Sequence, residues 1–376
     1  MGYNFGVKRF NLKQKIDGFL NSFAMDIGVD LGTSNTLFYV KDKGVVVEEP
    51  TLLARQKVKR WTGLSAPKKK KGLVVAYGSR AKEMLDREPK QIEVVCPLKR
   101  GVVSDLGALE SFLGYYLRLI YEVPTRWPKI FKPRVIVGVP GIITGVERRA
   151  IKSVFGSFGV RKIYLVEQSV LAAIGIGLSV ESSSGLMVVD VGGGKTEVSV
   201  VSSGGVVAGE GIKTGGEDWD KAIIDFLKMK YGVLVGKRTA ESIKIKIGIL
   251  IPSKLKKREI MVVRGRDLES GLPKSLKLDS VEIMEPLLMV GKKIINLVSS
   301  VLDEIPPEIA DDVLGRGVCL LGGGGRLRGL DGLMEEELKF SVRLIEDPEL
   351  AVIKGCGELM ERPDLLEKVR LVAGLN

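Results

Sequence analysis

The first part of the chain alternates apolar runs with a polar glycine turn. Residues 25–40, MDIGVDLGTSNTLFYV, contain two runs rich in apolar and β-branched residues, which flank the turn Asp30-Leu31-Gly32-Thr33. Two such runs on either side of a glycine turn indicate paired strands. The sequence therefore predicts a hairpin with polar groups at its tip.

Strand-like and helix-like patterns then follow one another. Residues 45–103 lack apolar periodicity and contain a loop-like run of four lysines, which we interpret as a small exposed subdomain. A helical pattern at 105–121 is followed by the strand-like RVIVGVP at 134–140 and the helix-like ERRAIKSVFGSFG at 147–159. This alternation predicts α/β layers.

The hairpin pattern of the N-terminal region occurs a second time. Residues 186–203 consist of LMVVDV, three glycines and the alternating KTEVSVVSS, so that Asp190 ends a strand-like run as Asp30 does. The repetition predicts two similar lobes. Further along, the pattern predicts a basic β-rich segment at 254–281, a long amphipathic helix at about 281–303, and a strand followed by a turn at 318–330.

The composition limits the chemistry of the protein. The 376 residues suggest two or three domains at roughly 150 residues each. With 45% hydrophobic and 28% charged residues, the chain falls outside the composition range of disordered proteins. It contains no histidine, which excludes Ser-His-Asp and Cys-His nucleophiles, HExxH zinc sites and imidazole catalysis. Any catalysis must use carboxylates, lysine, bound metal or backbone dipoles.

The charge and the cysteines indicate the partner and the compartment. The formal net charge of +12 favours an anionic partner, which can be a nucleic acid, a membrane surface or a nucleotide. The three cysteines are far apart and form no CxxC pair, which fits a reducing cytoplasm. No apolar run approaches the roughly 18 residues of a membrane span, so we expect a protein that is neither integral nor exported.

Glycine-rich turns follow four of the strand-like runs. A single turn of this kind is usually only a tight connection, but four together favour a phosphate cradle, because glycine lets backbone N–H groups approach phosphate oxygens. Two turns carry a strand-end carboxylate, which suits the waters of a Mg²⁺ beside a triphosphate. GGGKT at 192–196 is not a P-loop, since the motif requires glycine where Val189 stands. The turns lie around Gly32, Gly192 to Gly194, Gly215 to Gly216, and Gly322 to Gly325.

A further candidate site is the segment TAESIKIKIG. Glu241 and Lys244 are three residues apart, so they share one face of a predicted helix. Two alternatives remain open for them. They form a solvated ion pair, or they contact the ribose and base edge of a nucleotide.

Two segments have the pattern of a membrane surface contact. At the N-terminus, five apolar side chains fall within an arc of roughly 100° on a helical wheel, flanked by lysines. Docking on the protein's own core is the alternative, but the pattern favours an interfacial helix. In the loop 123–133, apolar residues alternate with basic ones, which suits a headgroup boundary. The predicted contacts are Leu12, Ile16, Phe19, Leu20, Phe23, Trp127, Ile130 and Phe131.

Seven motifs, taken in order, resemble those of the MreB family of bacterial actin homologues, from about residue 25 to 360. They are VDLGTSNT, GVERRAI, LAAIGIGL, VVDVGGGKTEVSV, TAESIKIKIG, RGRDLESGLP and LLGGGGRLRGLD. The wider actin, sugar-kinase and heat-shock ATPase superfamily shares the nucleotide loops, whereas GVERRAI and RDLESGLP look like MreB alone. The resemblance implies an α/β actin-like fold with two lobes, a small inserted subdomain in each, and a central nucleotide cleft.

The resemblance also implies the roles of individual residues. Asp30 and Asp190 would flank Mg²⁺ through water. The phosphates of ATP or ADP would contact Gly32, Thr33, Asn35, Gly192, Gly193 and Gly194. The expected cofactor-binding set also includes Ser34, Lys195, Thr196, Gly215 and Gly216. The nucleoside would contact Glu241, Lys244, Gly322, Gly323 and Gly324.

The sequence departs from the family pattern at the predicted catalytic residues. The family usually has EEP, with the second glutamate activating water, where this chain has Glu167-Gln168-Ser169. The family's GGGTTE is GGGKTE here, so that Lys195 stands where the resemblance implies a threonine on the γ-phosphate side. We therefore expect slow hydrolysis that involves Glu167, Gln168 and Lys195.

The resemblance implies an ATP-dependent protein whose filaments lie on the inner face of the cell membrane and guide cell-wall synthesis. Further copies of the chain, anionic lipids and, by the same resemblance, membrane proteins of the elongation machinery are the expected partners, but not nucleic acid. A small-molecule kinase or a chaperone-like ATPase of the same superfold is the alternative. The predicted division is a membrane segment at 1–24, lobe I at 25–159 and 350–376 with an insertion at about 45–95, and lobe II at 160–219 and 284–349 with an insertion at 220–283.

Overall fold

The computed structural model describes residues 26–57, 72–122, 133–251 and 258–371. Its strands are β1 (Ile27–Leu31), β2 (Asn35–Val40), β3 (Gly44–Pro50), β4 (Leu53–Gln56), β5 (Val74–Tyr77), β6 (Ile92–Val95), β7 (Leu98–Lys99), β8 (Val102–Val103), β9 (Arg134–Val139), β10 (Lys162–Glu167), β11 (Leu186–Val191), β12 (Thr196–Ser202), β13 (Gly205–Ile212), β14 (Val233–Leu234), β15 (Ile260–Asp267), β16 (Pro273–Asp279), β17 (Val318–Leu321) and β18 (Val342–Leu344). Its α-helices are α1 (Gly78–Met84), α2 (Leu106–Glu122), α3 (Gly145–Ser157), α4 (Gln168–Gly175), α5 (Gly216–Tyr231), α6 (Lys237–Ile247), α7 (Ser280–Glu304), α8 (Pro307–Arg316), α9 (Leu330–Leu338), α10 (Ala351–Glu361) and α11 (Pro363–Val369), and a 3-10 turn covers Gly323–Arg326.

Two five-stranded sheets share one strand order. The first is β10-β9-β1-β2-β3 and the second is β13-β12-β11-β17-β18. In each, three consecutive antiparallel strands are joined by two later strands that pair in parallel. The predicted hairpins and the repetition of one lobe in the other are therefore confirmed.

The first sheet extends beyond the lobe boundary that we predicted at residue 159. Strand β10 pairs in parallel with β9, from Lys162 opposite Arg134 to Glu167 opposite Val139. Parallel strands need a crossover connection, and α3 provides it between β9 and β10. Residues 162–167, which we assigned to lobe II, thus complete the sheet of lobe I.

Helices α4 and α10 connect the two sheets. Helix α10 packs on α4 and on β1, β2 and β9, while α4 also contacts β11 and β12 of the second sheet. The two helices cross closely because glycine stands at the contact. A Cβ atom at Gly355 would overlap the Leu171 carbonyl, and one at Gly175 would overlap that of Ala351. Both lobes therefore pack against this pair of helices.

Smaller elements are inserted in each lobe. Strands β4, β5 and β6 form a three-stranded sheet within the predicted exposed subdomain, with α1 packed beside it. Strands β14, β15 and β16 form another three-stranded sheet, in which β15 and β16 belong to the predicted basic β-rich segment. The predicted long helix is present as α7.

The predicted membrane contacts cannot be located in this fold. The N-terminal segment 1–24 and the residues Trp127, Ile130 and Phe131 lie outside the described residues. Among the helices of the described ranges, none has both the length and the apolar character that a membrane crossing requires.

Candidate functional site

The tips of the β1–β2 and β11–β12 hairpins face each other across a cleft between the lobes. A Cβ atom at Gly193 would overlap the Ser34 hydroxyl, and one at Gly194 would lie 2.8 Å from Thr33 Cγ2. Both predicted phosphate loops are therefore in one place, although they are far apart in sequence. We call them the first tip, residues 32–34, and the second tip, residues 192–195.

Side-chain hydroxyl groups hold the first tip in position. The Thr51 hydroxyl donates to the Gly32 carbonyl at 2.7 Å and is bonded to the Thr36 hydroxyl at 2.9 Å. The backbone N–H of Gly101 donates to the Thr33 hydroxyl at 2.9 Å. These buried and partly buried hydrogen bonds fix the backbone of the turn, because a buried polar group left unpaired is costly.

The N-terminus of α5 supports the second tip from behind. The Gly216 and Glu217 N–H groups donate to the carbonyls of Gly192 and Gly193 at 3.0 and 2.7 Å. The Gly215 N–H donates to Asp218 Oδ2 at 3.0 Å. Gly215 and Gly216, which we predicted to contact phosphate, have their N–H groups bonded within the protein and here hold the loop.

A third glycine turn lies against the end of β11. Gly322 has a φ of +75°, and a Cβ atom there would overlap Asp190 Oδ1 and the Val191 carbonyl. A Cβ atom at Gly324 would lie 2.6 Å from Val191 Cγ1. Only glycine fits such a close approach with a left-handed backbone. The structure therefore brings the predicted turn Gly322 to Gly324 to the same cleft.

Two aspartates stand at the strand ends below the tips. Burial raises the pKa of Asp30 to about 7, with the Gln168 hydrogen bond acting against it and the Asp190 charge adding to it. Burial also raises the pKa of Asp190 to about 6, against the charge of Lys195. A negative charge at this position is thus costly until a cation compensates for it.

These carboxylates suit a hydrated cation better than a fully coordinated one. Among the described residues, no group of three or more potential metal-ligating side chains occurs. Mg²⁺ commonly keeps several waters and binds through one or two carboxylates together with phosphate oxygens. Asp30 and Asp190, which are both destabilised as anions, fit that arrangement.

Lys195 connects the two lobes through a chain of polar contacts. Its ammonium donates to Gln168 Oε1 at 2.9 Å and forms an ion pair with Glu197. Gln168 Nε2 in turn donates to Asp30 Oδ1 at 2.7 Å. Glu167 also lies here, because a Cβ atom at Gly141 would be 3.8 Å from a carboxylate oxygen of Glu167 and of Glu197 alike. Burial and the Glu197 charge raise the pKa of Glu167.

Glu197 is a site residue that we did not predict. It is 6% exposed, and its Oε1 accepts the N–H of Gly141 at 2.9 Å. The available signal was a carboxylate inside the apolar run of β12. An alternating strand usually places such a residue on a solvated face, but β12 is buried along its whole length.

Glu241 and Lys244 have separate partners, so they do not form the ion pair that we considered. Glu241 pairs with Lys82 of α1 across the cleft, with 3.0 Å between Nζ and Oε1. Lys244 pairs with Asp220 at 2.8 Å and donates to the Gly216 carbonyl at 2.9 Å. Lys244 therefore also supports the second tip.

Further contacts across the cleft involve residues that the sequence did not single out. Arg100 donates to Asp218 Oδ1 at 3.1 Å and to the Lys213 carbonyl. Arg238 of α6 donates to the Glu83 carbonyl at the end of α1, at 3.1 Å. The outer parts of the lobes are thus held together by charged side chains.

The family of the chain follows from comparison with known proteins. A family model described as MreB/Mbl protein matches residues 24–368. The chain belongs to the MreB/Mbl family. It is 41% identical over 347 residues to the cell shape-determining protein MreB of Escherichia coli (strain K12), covering 92% of this chain and 96% of that protein. It is 39% identical over 349 residues to the cell shape-determining protein Mbl of Bacillus subtilis (strain 168), covering 93% and 99%.

Solved structures support the same assignment. MreB5 of Spiroplasma citri bound to ADP has a TM-score of 0.82 at 30% identity, covering 92% of this chain and 98% of that chain. The MamK double helical filament has a TM-score of 0.70 at 18% identity, covering 90% and 99%, and shows the fold alone. The predicted α/β actin-like fold of this MreB/Mbl family member is confirmed.

Proposed function

We propose that this MreB/Mbl family member is an ATP-dependent, actin-like protein that polymerises into filaments, lies on the inner face of the cell membrane and maintains cell shape by organising cell-wall synthesis. The observation that carries the proposal is the meeting of two glycine hairpin tips above Asp30 and Asp190. Relatives named as cell shape-determining proteins, together with MreB5 structures bound to ADP and to AMPPNP, support it.

The tips are suited to hold the phosphates of the nucleotide. Backbone N–H groups at glycine turns bind anions without the bulk of a side chain. Asp30 and Asp190 would hold waters of a Mg²⁺, which when bound supplies charge neutralisation on the phosphates. The raised pKa values of both carboxyls favour such a partner, because a cation repays the cost of their ionisation.

Hydrolysis in this site should be slow. Gln168 carries an amide where a carboxylate would accept a proton from water, and both ends of that amide are bonded, to Asp30 and to Lys195. An amide orients water but does not take its proton. The rate must then rest on positioning and on fixed charge, so the nucleotide would act as a long-lived switch for polymerisation.

Membrane attachment is proposed from the sequence. Several apolar side chains in residues 1–24 and in the loop around Trp127 and Phe131 would enter the bilayer interface, each contributing roughly 25 cal/mol per Å² of buried apolar area. Nearby lysines and the net charge of +12 add attraction to anionic lipids on the cytoplasmic side. Self-association and contacts with membrane proteins of the elongation machinery complete the proposed set of partners.

Electron microscopy of the purified chain tests the central claim. We expect regular polymers with ATP and Mg²⁺, and we expect Asp190→Ala to lose both nucleotide binding and polymers. The matched control is Asp225→Ala, which removes an exposed carboxylate of α5. Phosphoryl transfer to a small molecule without polymers would favour the kinase alternative and overturn the proposal.

Co-sedimentation with anionic liposomes tests the membrane contact separately. The full chain should sediment with the vesicles, and deletion of residues 1–24 combined with Trp127→Ser and Phe131→Ser should abolish this. Binding that is the same with and without these changes would overturn the membrane assignment and leave the filament assignment standing.

A further inference from the structure

We propose that the Lys195 ammonium is a cation built into the nucleotide site, which neutralises phosphate charge there and lets this chain bind ATP with little dependence on Mg²⁺. The inference rests on the proposed function, because it deepens the description of the same cleft. It concerns one of the two positions, Gln168 and Lys195, at which the sequence departs from its family pattern.

The position of Lys195 places its charge among acidic groups. The residue follows Gly194 directly, at the end of the second tip, and its side chain reaches Gln168 at the start of α4. The same Gln168 donates its Nε2 to Asp30 Oδ1 at 2.7 Å, and the ammonium itself forms an ion pair with the buried Glu197. A positive charge placed among these carboxylates is what a bound Mg²⁺ would supply.

The side chain of Lys195 is held in place before any ligand arrives. It is 15% exposed, and its stem packs against the turn at Gly101, where a Cβ atom would lie 2.8 Å from Lys195 Cδ. Gln168 and Glu197 fix the ammonium at its end. Ordering a lysine side chain costs conformational entropy, and here folding has already ordered it, so that ligand binding costs little more.

The ammonium keeps a donor for a ligand. An ammonium group has three N–H donors, and within the part of the chain that the structure describes two acceptors bind this one, Gln168 Oε1 and a Glu197 carboxylate oxygen. The third N–H is available to a phosphate oxygen without breaking either bond. A charge-assisted hydrogen bond of this kind corresponds to roughly 10- to 100-fold in affinity.

A purely structural ion pair between Lys195 and Glu197 is the alternative, and it makes a different prediction. Removing a structural pair would lower the stability of the fold and change nucleotide binding equally with and without Mg²⁺. If Lys195 is a resident cation, its removal should weaken ATP binding strongly without Mg²⁺ and only slightly with it, because Mg²⁺ neutralises the same phosphate charge.

Isothermal titration calorimetry on the full chain distinguishes the two. ATP is titrated in Mg²⁺ and in EDTA, and we expect the parent to lose less than about tenfold in affinity when Mg²⁺ is removed. In EDTA, Lys195→Met should bind ATP about 10- to 100-fold more weakly than the parent. In Mg²⁺ its affinity for ATP should be close to that of the parent. Lys195→Arg should stay near the parent. Lys221→Met, an exposed position on α5, is the matched control for net charge and should behave as the parent.

Two further measurements keep the test decisive. AMP lacks the β- and γ-phosphates, so its affinity should be the same for the parent and for Lys195→Met. Glu197→Gln keeps an oxygen acceptor for the ammonium and removes a competing negative charge, so it should bind ATP in EDTA more tightly than the parent, even where Lys195→Met folds poorly.

Each outcome has a definite meaning. A parent that binds ATP in Mg²⁺ but not in EDTA overturns the inference and leaves the proposed function intact. A parent that binds ATP under neither condition overturns the proposed function itself. An equal loss for Lys195→Met with and without Mg²⁺ identifies the ion pair as structural and also overturns the inference.

Discussion

Replacing Gly193 with alanine should separate the two hairpin tips. A Cβ atom at this position would overlap the Ser34 hydroxyl and lie 2.8 Å from Ser34 Cβ. Contacting carbon atoms prefer a separation of about 3.5–4.0 Å. The tips must therefore move apart by about 1 Å to accommodate the methyl group, because the Ser34 hydroxyl can rotate away but its Cβ cannot.

The magnitude follows from the narrow range of hydrogen-bond lengths. Backbone N–H groups bind oxygen at about 2.7–3.2 Å, so a displacement of about 1 Å leaves one tip out of reach of a phosphate that the other tip holds. Losing one hydrogen bond to a charged group costs about 1.5–3 kcal/mol, which is roughly 10- to 100-fold in affinity. The free energy of unfolding should fall by less than about 1 kcal/mol, because the cleft can open to relieve the contact.

Calorimetric titration with ATP and urea denaturation together check this prediction. In a Ser34→Gly background the obstructing hydroxyl and Cβ are absent, so adding Gly193→Ala should have little further effect on affinity. Gly156→Ala is the control, since a Cβ atom there meets nothing within 4 Å. Unchanged affinity in Gly193→Ala, or an equal loss in both backgrounds, would refute the reasoning.

Three other changes have calculable effects. Burial alone would raise the pKa of Asp105, but a backbone N–H in the first turn of α2 and the Arg55 guanidinium outweigh it and lower the pKa. The stability that this carboxylate contributes is thus present above its unfolded pKa of about 3.9 and is lost as the pH falls through the lower folded value. Asp105→Asn should therefore reduce the free energy of unfolding in urea by about 1 kcal/mol at neutral pH and by less in acid; a deficit that grows in acid would contradict this. Lys82→Ala removes the half-exposed ion pair with Glu241, which is worth about 0.2–1 kcal/mol. The rate of nucleotide release, measured by stopped-flow chase, should therefore rise by up to about fivefold. As the control, Lys82→Ala should not change this rate in a chain that already carries Glu241→Ala. Trp219→Phe removes the buried 3.1 Å hydrogen bond from the indole to the Leu287 carbonyl of α7 and leaves part of the indole's space unfilled, so it should lower the free energy of unfolding by about 1–3 kcal/mol; an unchanged free energy of unfolding would contradict this.

The sequence predicts the two hairpins well because the signals are local. Each combines strand-like runs with a glycine turn and a strand-end aspartate, at Asp30 and at Asp190, and the structure places both at one cleft. The pairing of Lys82 with Glu241 has no local signal, since the two residues are 159 positions apart. Glu197 escaped prediction because alternation along a strand does not reveal that both faces are covered. The place of β10 likewise depends on which sheet accepts the strand after α3, which is decided by packing between distant segments.

The charged character of the contacts across the cleft has a thermodynamic consequence. Lys82 with Glu241 and Arg100 with Asp218 join the lobes above the helix pair through polar atoms. Breaking them exposes little apolar surface, so opening should carry a small heat-capacity change and depend only weakly on temperature. Exposed charge pairs are weakened by salt, with a screening length of about 8 Å at physiological ionic strength. The opening of the cleft should therefore depend more strongly on the ionic strength of the cell than on its temperature.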